Sequence, residues 1–219
     1  PVRHPGAGYL GPAFSPLPIA DPNRGLENTR SPANVTPEMF DKRMSLAARL
    51  NRKFRQKFKS LDVQSYADFY NETTSLLSSS DLNAFDLNQE SEADRDRYGR
   101  DQFGQGCLLA RRMIEHNVRC VEVSFGGWDH PREIYSGDIL PARARVMDRA
   151  VSHLLNDLSN RGLLDDTLVV LATEFGRSPV MNENAGRDHH PGAYSVCVAG
   201  GGVTGGRYYG KSDDAGHGV

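Results

Sequence analysis

The sequence predicts an α/β fold built on parallel strands, and three observations carry that prediction. Residues 118–124 (VRCVEVS) and 167–172 (TLVVLA) are short apolar runs rich in β-branched side chains, the composition of strands buried on both faces. Between them, Ile139, Leu140, Val146, Met147, Ala150, Val151, Leu154, Leu155 and Leu158 recur at helical spacing over 138–161, and Gly162 follows as a stop. Strand, helix and strand in that order form a βαβ unit, whose crossover is right-handed and whose two strands run parallel.

The remaining elements follow in chain order. Residues 1–35 carry recurring Pro and Gly (PGAGYLGPAFSPLPIADPN) and read as a loop-rich arm. Residues 36–116 are mainly helical. Thr36, Pro37 and Glu38 place a capping hydroxyl, a first-turn proline and an acid at a helix start. Met39, Phe40, Met44, Leu46, Leu50, Phe54 and Phe58 give that helix a partial apolar face; Lys42, Arg43, Arg49, Arg52, Lys53, Arg55, Lys57 and Lys59 make the rest basic. A second helix is expected over 62–79 and a polar connection over 81–98. A third helix is expected over 100–116, with Phe103, Cys107, Leu108, Ala110, Met113 and Ile114 inward. Residues 117–219 are the strand–helix–strand core with its loops, and 194–199 supply a third strand. The whole chain, 1–219, reads as one domain.

Composition limits the function. Of 219 residues, 38% are hydrophobic and 25% charged, which supports a buried core and argues against disorder. A formal net charge of −2 argues against a nucleic-acid partner, and the basic helix reads as a solvated face. No apolar run is long enough for a membrane span. Cys120 and Cys197 lie in apolar runs and read as buried free thiols; three cysteines do not make a disulfide framework. The GGGVTG stretch at 200–205 matches a dinucleotide-binding pattern, but turn-like sequence follows where that site needs a helix.

In a parallel sheet, ligands bind beyond the carboxyl ends of the strands. The loop after 118–124 is FGGWDH and the loop after 167–172 is TEFGRS, so Asp129, His130, Glu174 and Arg177 are expected on one rim. Residues 173–193 show neither helical nor strand period, and so long an irregular tract is usually functional or disordered. Folded back, it adds Arg187, Asp188, His189 and His190 to that rim. Carboxylates with imidazoles suit a divalent metal (Zn, Mn, Ca or Mg), with Asp129, Glu174, Asp188 and His189 as candidate ligands or their outer shell and His130, His190 and His217 as weaker ones. Arg177 and Arg187 suit an oxyanion held by forked hydrogen bonds. Together they fit hydrolysis of a phosphate or sulfate ester. The same residues also suit a plain structural reading: Asp129 capping a turn, Glu174 pairing with Arg177, His190 shaping the loop before Pro191.

The blocks FGGWDH, LLDDTLVVLATEFGRSP, NAGRDHHPGAYSV and AGGGVTGGRYYGKSD resemble the bacterial domain of unknown function 1501 family. GYLGPAFSPL, AFDLNQE and RYGRDQFGQGCLLARRMIE extend the likeness along nearly the whole chain. The resemblance implies an exported protein with a three-layer alkaline phosphatase-like sheet, mostly parallel, with helices on both faces. It implies metal-dependent hydrolysis of a small-molecule or glycan phosphate or sulfate ester, with a non-catalytic extracytoplasmic binding protein as the alternative. By motif, Asp129 matches the acid of a Gly-Trp-Asp-Thr-His block, Glu174 that of Glu-Phe-Gly-Arg, and Asp188 and His189 those of Arg-Asp-His. Two departures bear on the metal: Pro131 stands where the block has histidine, with His130 one place early, and Phe175 follows Glu174 where the superfamily commonly has Asp-His. The nucleophile of that superfamily lies on an earlier strand, so the chain is expected to be an incomplete sheet with its nucleophile outside and no activity alone.

Overall fold

Thr36 opens the first long helix as its sequence requires: its hydroxyl accepts from the Met39 amide at 3.3 Å, and Pro37 contributes no amide to the first turn. The computed structural model describes residues 6–10, 14–27, 29, 32–60, 63, 68, 73–77 and 79–219. The described chain belongs to two compact units, Pro1–Gln89 and Glu90–Val219. The helix expected over 62–79 lies largely outside the described residues.

In the first unit, helix α1 spans Pro37–Lys57 and ends where Phe58 turns extended; none of its residues is buried. Short 3-10 turns follow at Ser80–Phe85 and Leu87–Gln89. The loop-rich arm is tied down at Gly25, where a β-carbon would lie 2.3 Å from the Phe85 carbonyl oxygen, so no larger residue fits.

The second unit is built on three helices packed on one another: α2 (Glu92–Tyr98), α3 (Gln102–Glu115) and α4 (Ile139–Asn160). Ser91 caps α2 and Asp101 caps α3, each accepting from the amide three residues on. Tyr98, Phe103, Cys107, Leu108, Leu109, Met113, Ala150 and Leu158 form the core. Ile139, the first residue of the apolar series on α4, is 59% exposed.

A polar network runs through this core. Asp157 of α4 accepts from the Tyr98 hydroxyl at 2.9 Å and pairs with Arg97 at 3.0 Å. Arg111, 1% exposed, binds Glu115 and Glu90, and Arg112 binds Glu90 as well. Gln105, fully buried, donates to the carbonyls of Arg95 and Gly99 and accepts from Arg95. Burial pushes the Cys107 thiol up to about 12, so it stays an inert core residue.

The sheets overturn the expected fold. Among the described residues there is no mostly parallel three-layer sheet, only two short antiparallel pairs. Strand β1 (Leu168–Leu171) pairs with β4 (Cys197–Gly200), Val170 opposite Val198; β2 (Gly176–Arg177) pairs with β3 (His189–His190), Arg177 opposite His189. Residues 118–124 form no strand and have no ladder partner, so the strand–helix–strand unit does not form. Side-chain exposure gives the physical reason: Val118 and Val121 are 37% and 36% exposed, and β1 alternates exposed with half-buried positions. Alternation marks a strand with one open face, whereas parallel strands are covered on both. Cys120 and Cys197, expected in the core, are exposed free thiols. The tract 173–193 is not structureless, since it contains β2 and β3.

Candidate functional site

The site begins with three aromatic rings. Phe125 stacks on Phe103 of α3 at 4.3 Å, and Trp128 meets Phe125 edge-on at 5.5 Å. From α4, Arg143 donates to the Gly126 carbonyl at 2.7 Å and lies over the Phe125 ring. Gly127 permits this, with φ at +84° and the Arg143 guanidinium where a β-carbon would sit. The segment thus pinned delivers Asp129 to the surface.

The β2–β3 pair brings the other half. Between the strands, the Asn182 side chain accepts from the amides of Asn184 and Gly186 and donates to Asp188 Oδ1 and the Pro131 carbonyl. Glu133 and Ile134 amides bond the Asn184 and Ala185 carbonyls, laying 130–134 along the same loop. Gly186 is buried against Pro131, whose carbonyl carbon is 2.1 Å from where a β-carbon would stand.

Asp129, Arg177 and His189 then meet. Asp129 Oδ1 accepts from Arg177 Nη1 at 2.8 Å and lies 3.1 Å from His189 Nε2. The His189 ring rests on Phe175 at 4.2 Å, and the Arg177 guanidinium lies over the same ring. Arg177 also donates to the Arg187 carbonyl at 3.2 Å. The hydrogen bond from Arg177, with a second contribution from His189, holds the Asp129 carboxyl below its ordinary range. His189 and Asp129 remain 54% and 63% exposed, open to a ligand from solvent.

The other expected residues divide. Arg187 Nη1 donates to the carbonyls of Ser178 and Pro179 at 2.7 Å each and so locks the loop. Asp188 holds Asn182 at 2.8 Å. Glu174 is exposed and makes no hydrogen bond or ion pair with the cluster. His190 faces His217 at 6.2 Å, with Gly192 leaving the gap between them. Asp213 folds the 213–218 turn that presents His217, accepting from the His217 and Ala215 amides; the first of these bonds pulls the Asp213 carboxyl down.

Two observations bear on a metal. His130 Nδ1 and His190 Nε2 are buried and have no hydrogen-bond partner, a state that native proteins rarely leave uncompensated. Yet among the described residues no three His, Cys, Asp or Glu side chains are placed to share one ion. Asp129 Oδ1 is moreover occupied by Arg177 and His189. The donor chemistry suits a divalent cation; the placement does not.

Asn182 and Phe175 are functional neighbours that sequence reasoning missed. The NENAG turn signal around Asn182 points to a side chain capping its own loop. A cavity of about 510 Å³, lined by Asp101, Phe103, Phe125, Ile139, Arg143 and Val146, belongs to the scaffold behind Asp129, and none of Asp129, Arg177 and His189 lines it.

A family model described as a protein of unknown function (DUF1501) matches residues 1–219. No curated protein and no solved structure matches the chain.

Proposed function

The chain belongs to the DUF1501 family, and from that premise we propose that its rim serves hydrolysis of phosphate or sulfate esters, with His189 as the acid–base group. The carrying observation is the Asp129–His189 contact at 3.1 Å on an exposed surface. A carboxylate against one imidazole nitrogen fixes the ring's orientation and tautomer and leaves the other nitrogen to exchange a proton with substrate or water. Arg177 keeps Asp129 ionised, so the acid stays an acceptor for the ring. Phe175 sets the ring plane from below. The class of substrate rests on the family resemblance, as does location outside the cytoplasm; the residues supply the acid–base pair.

Turnover of aryl phosphates and aryl sulfates by the chain tests this reading, against the expectation that the chain has no activity alone. His189→Ala removes the proton carrier and is expected to lower kcat by about 10²–10⁴-fold, while Asp129→Asn leaves a mis-set ring and a smaller loss. Equal turnover by wild type and His189→Ala overturns the assignment. Equilibrium dialysis with Zn, Mn, Ca and Mg decides separately whether a cation joins by rearranging Asp129 and drawing in His130 Nδ1 or His190 Nε2.

A specific observation favours the second reading, a non-catalytic binding protein. Both guanidinium groups expected to hold an oxyanion are engaged, Arg177 with Asp129 and Arg187 with two backbone carbonyls. No turnover of either ester class by protein whose thermal melt shows it folded would select it.

A further inference from the structure

We infer that helix α1 is a membrane-surface helix, which lies on a bilayer containing anionic lipid without crossing it. The inference is independent of the proposed hydrolysis. It starts from two faces of Pro37–Lys57. Met39, Leu46, Leu50 and Phe54 fall within about 80° of one another at 100° per residue, and they are 41%, 51%, 64% and 53% exposed. Phe58, just past the helix, continues the stripe at 45% exposed. Phe40, Met44 and Ala47 occupy the adjoining arc and are half-buried, so the helix already has a packed side and the exposed stripe is a different one.

Charge identifies what covers the stripe. The helix carries seven basic and two acidic residues, in a chain whose formal net charge is −2. Lys42, Arg49 and Lys53 border one edge of the stripe. Arg43 and Lys57 fall within the arc of the stripe itself, Arg43 between Met39 and Leu46 along the helix and Lys57 at its last residue, with the Lys57 ammonium over the Phe58 ring. Long cationic side chains flanking large apolar ones are what a lipid interface requires: the apolar groups enter the acyl boundary while the ammonium and guanidinium groups rise to the phosphates. A second copy of this helix would bring its own excess of positive charge against the first. Nucleic acid would meet the charge but leave four large apolar side chains in water. A helix of 21 residues is about 31 Å long, yet no helix among the described residues is long and apolar enough to span a bilayer. It lies in the interface plane.

Co-sedimentation of the full chain with phosphatidylcholine vesicles, with and without phosphatidylglycerol, tests the inference. The expected result is binding at least about tenfold stronger to the anionic vesicles, weakening as salt is raised. Leu50→Ser with Phe54→Ser keeps the charge and removes the insertion, and is expected to abolish most of the binding. Lys53→Glu is expected to weaken binding to anionic vesicles alone. These side chains are exposed, so an unchanged circular dichroism melt is the control for folding. Equal affinity for neutral vesicles, or binding untouched by the double serine variant, overturns the inference. So does tighter binding to duplex DNA than to vesicles. A fall in mass by light scattering on Leu50→Ser would assign the stripe to a second copy instead and equally overturn it.

Discussion

Asp129 shows how much of the site one carboxylate organises. It is the meeting point of three segments: its own loop, β2 through Arg177 and β3 through His189. The Arg177 hydrogen bond depresses its pKa, with His189 adding to the effect. A carboxyl whose folded pKa lies below its unfolded value stabilises the protein above the unfolded pKa. That contribution is lost as pH falls through the folded one. Asp129→Asn is therefore expected to lower Tm by a small, constant amount above about pH 5, the difference vanishing below about pH 3. Thermal melts from acid to neutral pH measure it; a difference that grows on acidification contradicts the pairing. The effect is small because the group is exposed and solvent screens the pair. Sequence reasoning reached Asp129, Arg177 and His189 from residue type and position after apolar runs. It did not reach the engagement of Arg187 with carbonyls, because a guanidinium that holds its own loop and one that waits for an anion have the same spacing in sequence.

The three helices of the second unit owe their arrangement as much to charge as to apolar packing. Glu90 lies against both Arg111 and Arg112, its side chain only 9% exposed. Desolvation pushes the Glu90 carboxyl up, but the hydrogen bonds from Arg111 and Arg112 outweigh it and the net shift is downward. Its contribution is thus present at neutral pH and lost in acid. Glu90→Ala takes one charged partner from each of two buried guanidinium groups, Arg111 keeping Glu115, and is expected to cost about 2–3 kcal/mol, read from urea unfolding. Arg145→Ala breaks an ion pair with Asp138 in which both side chains are more than 60% exposed, and is expected to cost less than about 1 kcal/mol. Similar losses from both variants would deny the network its role. Helices α3 and α4 were legible, since the periodic positions of 100–116 are largely the buried ones and Gly162 takes φ +69° after α4, whereas α2 forms within the stretch 81–98 that read as a polar connection. The network was not, because Arg111 and Arg112 sit among apolar neighbours and two of their partners, Glu90 and Asp157, lie outside their own helix.

The fold went wrong at the pairing of strands, where local sequence is weakest. An apolar run such as TLVVLA specifies a strand and leaves its partner and direction open. The run did form β1, but its partner is β4, twenty-six residues downstream of Leu171 at Cys197 and antiparallel to it. Residues 118–124 were read as a strand on the same grounds and found no ladder. Asp129, Arg177 and His189 meet all the same, since the β2–β3 pair returns His189 to Asp129 without a parallel sheet. The β1–β4 pair has a consequence for the molecule in solution. Leu168 and Val170 alternate with half-buried residues and Val198 stands opposite Val170, so these three share one face, with Val196 just before β4. They are 54%, 52%, 47% and 45% exposed. A two-stranded sheet also has two open edges, which favour pairing with another strand. With a formal net charge of −2 and an isoelectric point near 6.4, little repulsion opposes association. Concentration-dependent association is expected near neutral pH, strongest close to the isoelectric point, and Val170→Lys is expected to suppress it while leaving Tm within a few degrees. Static light scattering across a dilution series reads the first effect and calorimetry the second. Association that persists in Val170→Lys would place the sticky surface elsewhere.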